Sequence, residues 1–240
     1  TLSSSSAASD VYKRQHLYQA GMVCLIVLAS APCYAQATPN EMAPIPLKLP
    51  KAAFAGTPKD TPAGTTVDPA PTKPRPIPLA PKGAVNLALG KKVTSSAAPF
   101  TGSLALITDG NKEVGDETAV ELKPRVQWVQ IDLGDISSIY QILVWHYHGQ
   151  PIVFHSVIVQ VSNDPQFIEG VTTLFNNDQT NAAGLGIGKD REYFETNEGK
   201  LVETKGIKAR YVRLYSKGST YQDPLNRYTE VEVWGLPATK

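Results

Sequence analysis

Cysteine is nearly missing from this 240-residue chain: Cys24 and Cys33 are the only two, and none follows. That excludes a disulfide framework from everything beyond Cys33. An excess of charge of one sign is missing as well. The formal net charge is +1, which gives no electrostatic footprint for nucleic acid or an acidic surface. No apolar run reaches the ~20 residues a spanning helix needs. No stretch shows the 3.6-residue period of a long amphipathic helix. Catalytic signatures are also missing: there is no GxSxG, no HExxH, no catalytic cysteine and no acid pair placed across a cleft, so the sequence reads as a non-enzyme. "AAGLGIGKD" (Ala182–Asp190) lacks the GxxxxGK[ST] spacing of a phosphate loop.

What is present divides the chain into three parts. "AGMVCLIVLASAPCYAQA" (Ala20–Ala37) is an uncharged apolar core ending in Ala35-Gln36-Ala37. With Lys13 and Arg14 before it, this fits a cleaved signal peptide cut after Ala37, and hence a secreted, periplasmic or cell-surface protein. The preceding "SSSSAASDVYKRQ" resembles translated sequencing-adapter read-through and stands outside the fold. The second part, Thr38–Gly83, holds twelve of the nineteen prolines. Proline at that density blocks helix and sheet pairing and favours polyproline II, so this part is expected to be a disordered spacer. The third part, Ala84–Lys240, is the one expected to bury a core as a single domain.

Period-two patterning dominates that third part. "VQWVQIDLG" puts Val129, Ile131 and Leu133 on one face; "SVIVQVSND" does the same with Val157, Val159 and Val161. "YQILVWHYH", "ARYVRLYS" and "EVEVWG" add three more β-branched or aromatic runs, each bounded by turn residues. Short alternating strands split by Gly, Asn, Asp and Pro predict an all-β sandwich or barrel, and long loops between sequential strands suit a jelly roll. Trp128, Trp145 and Trp234 fall within strands and read as core. The insert from Asn176 to Glu203 is long enough to expect a functional or ordering role.

Six segments carry a resemblance: "NLALGKKVTSS" (Asn86–Ser96), "DGN" (Asp109–Asn111), "WVQIDLG" (Trp128–Gly134), "VQVSNDPQF" (Val159–Phe167), "ARYVRLY" (Ala209–Tyr215) and "EVEVWG" (Glu230–Gly235). In this order and spacing they resemble the discoidin family, which includes the coagulation-factor C-type domains and the family 32 carbohydrate-binding modules. The resemblance spans about Val85 to Leu236. It implies an eight-stranded antiparallel jelly-roll β-sandwich of galactose-binding-like type. The chain lacks the cysteine pair that ties the ends of the animal members and looks more like the bacterial type.

The resemblance also offers a reason for the oxygen-rich turn "SLALITDGNKEVGD" (Ser103–Asp116). In the family such a turn, with a Glu opening the last strand, holds a cation. Carried over, the ligands would be the Asp109 carboxylate, Asn111, the Leu106, Val114 and Thr229 carbonyls, and the Glu230 carboxylate. Ca²⁺ takes six to eight oxygens of this mixed kind, so a structural Ca²⁺ is expected; a solvated acidic turn is the plainer alternative. Relatives often carry Thr where this chain has Val114.

Family members meet ligands through loops at one tip of the sandwich. Three loops correspond here: "SSAAPFTGS" with Phe100; "HYHGQPIVFHS" with His146, Tyr147, His148 and His155; and "SKGSTYQDPLNRYT" with Tyr221, Asn226, Arg227 and Tyr228. Sugar recognition needs an aromatic face and planar amide, imidazole or guanidinium groups, so Phe100, His146, Tyr147, His148, Tyr221, Asn226 and Arg227 form the expected ligand set. The expected partner is a glycan or extracellular polysaccharide. A protein or surface-adhesion module without a sugar pocket, and an accessory module of a larger extracellular enzyme, are the alternatives. Nothing points to nucleic acid, and Gln150 and Pro151 are poor membrane wedges.

Overall fold

β-Branched and aromatic residues at every second position make strands wherever one face finds an apolar partner, and the computed structural model follows that rule. It describes residues 41–54, 66–69, 71–115, 117–220 and 224–238. The chain divides after Ala37. The expected signal peptide and its cut after Ala37 lie outside the described residues, as do Asp116 and Tyr221.

Ten strands are present among the described residues: β1 Met42–Pro44, β2 Leu79–Pro81, β3 Val85–Asn86, β4 Lys92–Ser95, β5 Val120–Leu122, β6 Gln127–His146, β7 Ile158–Ser162, β8 Thr172–Asn176, β9 Lys200–Ser216 and β10 Asn226–Leu236. A 3₁₀ turn, Leu104–Thr108, follows β4. Strands β3 to β10 form one antiparallel network in the order β3-β10-β6-β9-β7-β8, with β4 added to β6 and β5 to β10. The register of β6 against β9 shifts between Asp132 and Ser137. The first half of β6 pairs with β4 and the end of β9; its second half pairs with β10 and the start of β9. Such irregularities bend a strand and re-aim its pairing. The result is the expected eight-stranded antiparallel jelly-roll sandwich.

The alternation read from the sequence marks the core correctly. Val129, Ile131, Leu133, Val157, Val159, Val161, Val212, Leu214, Val231 and Val233 are all buried in one cluster. The opposite faces carry buried residues too. Arg213 is buried between the Trp128 and Phe167 rings, 4.4 and 4.1 Å from their centroids, and Gln130 accepts from its guanidinium at 2.8 Å. Glu230, Glu232 and Trp234 on β10 are buried as well.

The cover over β10 corrects the spacer expectation for the proline-rich part. Strands β1 and β2 pair with each other and bring Ile45 (4% exposed) and Ala80 (1% exposed) against Leu143, Trp145 and Trp234, with Leu47 and Ala84 beside them. Gln141 donates to the Leu79 carbonyl at 2.7 Å and Asn197 to the Pro50 carbonyl at 3.1 Å. The Arg75 guanidinium donates to the Gly199 and Glu198 carbonyls at 2.8 and 2.6 Å. Proline density does block long strands, as β1 and β2 are three residues each. It does not block docking, because a chain with fixed φ loses less entropy on being ordered.

Candidate functional site

The oxygen-rich turn packs against β10 at Glu230. Gly110, at φ +86, turns its N–H to Glu230 Oε2 at 3.1 Å. Asp109 Oδ1 accepts from the Asn111 N–H at 2.8 Å, and Asn111 Oδ1 from the Glu113 N–H at 3.1 Å. The nearby cation is already used: Lys112 is buried in an ion pair with Glu232, which also accepts from Trp234 Nε1 at 2.8 Å. Glu230 Oε1 and Thr229 Oγ1 are buried without a hydrogen-bond partner among the described residues. Burial pushes the Glu230 carboxyl up to about 9, and the Glu232 and Asp109 charges act in the same direction. A buried carboxylate oxygen with no donor is costly, and a hard cation relieves that cost. Among the described residues no three His, Cys, Asp or Glu side chains converge as a ligand set. A cation here would therefore draw on Asp109, Asn111 and Glu230 together with the Leu106, Val114 and Thr229 carbonyls. The residues present fit that role.

The expected ligand set divides on burial. Phe100 is 65% exposed, on the loop after β4. Tyr147 is half-buried and packs on the core. Tyr221 is outside the described residues. His146, His148 and Asn226 leave the set, because all three are fully buried and none can touch a sugar at the surface. His146 Nδ1 meets Glu195 Oε1 at 2.7 Å, and its ring stacks on Phe154 at 4.5 Å. His148 Nε2 lies 3.0 Å from the Lys112 carbonyl, which ties this loop to the oxygen-rich turn. Asn226 is a staple: Oδ1 accepts from Ser216 Oγ and the Gly218 N–H, and Nδ2 donates to the Lys123 and Arg125 carbonyls. Those bonds use the whole capacity of an amide side chain. Arg227 is largely buried and paired with Glu121 at 2.7 Å. Ile152 and Val153, on the same loop as the histidines, are buried.

The loops nevertheless build a pocket beside these residues. It encloses about 320 Å³ and is lined by His155, Ser156, Asn177, Gln179, Thr180, Glu192, Lys217 and Thr66. The His155 backbone is clasped by Lys217 and Gly218: His155 N–H donates to Gly218 O at 3.0 Å, and Lys217 N–H to His155 O at 2.8 Å. His155 Nδ1 lies 2.7 Å from Glu192 Oε1, with the imidazole partly open to solvent. Ser156 Oγ donates to Asp178 Oδ1 at 3.0 Å. Burial alone would raise the Asp178 pKa, but the Ala183 and Ala182 N–H groups and the Ser156 and Thr180 hydroxyls outweigh it and hold the carboxyl below its ordinary value. Asn177 is 2% exposed. Its Oδ1 accepts from the Val157 N–H at 2.6 Å, while Nδ2 has no acceptor among the described residues.

This pocket combines an imidazole oriented by a carboxylate, two amides, three hydroxyls and an ammonium: donors and acceptors of the kinds that pair with ring hydroxyls. Of its lining, His155, Ser156 and Lys217 lie in loops the sequence reading had singled out, but none of the three was in the expected ligand set. Asn177, Gln179, Thr180 and Glu192 come from the Asn176–Glu203 insert, whose length was the one signal that pointed to them.

No family model matches the chain, and no curated protein matches it. Solved structures do. The chain is similar to the CBM32 module of AlyQ in complex with 4,5-unsaturated mannuronic acid, at 19% identity over 59% of this chain and 92% of that one, TM-score 0.44. It is similar to chitosan-binding module 1 of a chitosanase/glucanase from Paenibacillus sp. IK-5, at 22% identity over 63% of this chain and 99% of that one, TM-score 0.44. It is also similar to a fucose-binding module from Streptococcus pneumoniae, at 18% identity over 65% of this chain and 99% of that one, TM-score 0.44. The first of these is a family 32 module, the type that the six sequence segments resemble.

Proposed function

We propose that this domain is a non-catalytic carbohydrate-binding module, and that the His155 pocket is where it holds sugar. The observation that carries this reading is Asn177: a buried amide whose Nδ2 has no partner among the described residues, lining a polar pocket beside an imidazole held by Glu192. Unsatisfied buried donors cost free energy, and a ligand hydroxyl or an ordered water supplies the missing acceptor. The His146–Glu195 pair has the chemistry of a base and its orienter but is fully buried, so no substrate reaches it. A cleaved leader ending in Ala35-Gln36-Ala37, as the sequence suggests, would take the module outside the cytoplasm, where polysaccharide is met.

The test is binding of residues Glu41–Lys240 to a glycan array and to insoluble polysaccharides, with mannuronate, chitosan and fucose ligands included. His155→Ala should weaken binding about tenfold, the loss of one strong hydrogen bond, while the fold survives. A folded domain that ignores every glycan would sink this reading and favour a protein partner, with Phe100 as the first residue to examine.

We also assign a structural Ca²⁺ to the turn at Asp109–Val114, Thr229 and Glu230. It would clip an early loop to the last strand in a domain that has no disulfide. At a hundredfold excess over its dissociation constant, Ca²⁺ should add about 2.7 kcal/mol of stability. A thermal scan with Ca²⁺ and with chelator reads this as a shift of several degrees, and Glu230→Gln should abolish the shift. A scan indifferent to both additions would leave the turn as a solvated loop.

A further inference from the structure

One wall of the His155 pocket does not come from the sandwich. Thr66 lines it, and Thr66 belongs to the proline-rich segment. The next two residues are docked with care. Val67 forms a parallel bridge with Glu192, and the Asp68 N–H donates to the Glu192 carbonyl at 2.7 Å. Arg191 reaches back to Asp68 Oδ1 at 2.6 Å through Nε and to the Val67 carbonyl at 3.1 Å through Nη2. The Val67 side chain is buried with Val153 and Phe194 in an apolar cluster of its own.

The positions of those two partners matter. Val153 lies two residues before His155, and Phe194 two residues after Glu192. The stretches carrying them pair directly: Val153 bridges Phe194, and the Glu195 N–H donates to the Ile152 carbonyl at 2.8 Å. Val67 therefore packs on the junction of the two loops that supply His155 and Glu192. It also holds the Glu192 backbone while the Glu192 carboxylate holds His155.

We propose that residues Thr66–Asp68 are a positioning element of the pocket: docked on Glu192, they fix the His155–Glu192 pair and close one side of the cavity. This rests on the reading of the pocket as the binding site, and it changes what the proline-rich segment is for. A binding site assembled from loops is only as exact as the packing behind them, and here part of that packing comes from a segment distant in sequence.

The test uses the chain from Glu41 and reads the rate at which diethyl pyrocarbonate modifies each histidine, resolved by peptide mass spectrometry. Val67→Asp puts a charge into the apolar cluster and undocks the segment; Asp68→Ala removes only the ion pair; Glu192→Gln serves as the reference for a released His155. Lys82→Ala, at an exposed position of the same segment, is the control. Val67→Asp should raise the His155 rate several-fold toward the Glu192→Gln value, and Asp68→Ala should raise it less. His146 and His148, both fully buried, should stay unreactive in all variants. Affinity for the best sugar of the glycan screen should fall about tenfold in Val67→Asp. An unchanged His155 rate in Val67→Asp would overturn the proposal. So would equal exposure of all three histidines, which would make the segment a requirement of the fold and not of the pocket. Should no glycan bind, the modification rates still decide this question, and only the sugar reading fails.

Discussion

Replacing His146 with Ala is expected to destabilise the domain by about 3–5 kcal/mol, the cost of stranding one member of a buried pair. Both side chains of the His146–Glu195 pair have no solvent exposure, and they meet at 2.7 Å. Removing the imidazole leaves Glu195 Oε1 without its donor, while Glu195 Oε2 already lacks one among the described residues. The ring also fills space, stacked on Phe154 at 4.5 Å and tilted against Tyr228 at 4.6 Å, so a cavity adds to the loss. Glu195→Gln keeps an acceptor for the His146 N–H and should cost much less. Urea denaturation followed by tryptophan fluorescence separates these cases. A His146→Ala midpoint equal to that of the parent would mean that the pair contributes nothing, as when buried ions only repay their own desolvation. The comparison also divides two views of this residue: a sugar ligand would lose binding and keep stability, whereas a core residue loses stability first.

The second large effect is expected from deletion. A fragment beginning at Ala84 should be several kcal/mol less stable than one beginning at Glu41. It should expose tryptophan to water and bind a hydrophobic dye. Burying an isoleucine side chain is worth about 1.5–3 kcal/mol; the deletion removes Ile45, Ala80 and Leu47 from Leu143, Trp145 and Trp234. It also removes the Arg75 donors to the Glu198 and Gly199 carbonyls. A fragment from Ala84 with an unchanged denaturation midpoint and no red shift in its emission would show that the segment rests on the sandwich without stabilising it. The practical consequence is direct: binding measured on the shorter fragment tests a damaged domain.

The two expectations share an origin in the second half of β6. "QILVWH" is a nearly unbroken apolar strand: Ile142 and Val144 point into the main core while Leu143 and Trp145 lie under the proline-rich segment. A nearly continuous apolar run is the mark of a strand covered on both faces, and that mark was present in the letters. What covers the second face was not, because a proline-rich stretch is read by its composition and its contacts lie some sixty to nearly two hundred residues away.

Fold class and strand faces follow from the sequence alone, because period-two alternation is a local property and each valine in it needs only one apolar side to bury. The meeting of the oxygen-rich turn with Glu230 was legible for a similar reason: Asp109, Gly110 and Asn111 are adjacent, and Glu230 begins the recognisable EVEVWG stretch of the last strand. The pocket was not legible. His155, Asn177, Glu192, Lys217 and Thr66 are scattered over about 150 positions, and their meeting depends on how three loops and one distant segment pack. Burial decided the rest. His146, His148 and Asn226 have the chemistry of ligand residues, and nothing local tells an imidazole in a solvent-facing loop from one held by a buried carboxylate. Chain-local patterning determined the sandwich and its turn; long-range packing alone decided which polar groups are sealed in the core, which line the pocket, and that the proline-rich segment belongs to the domain.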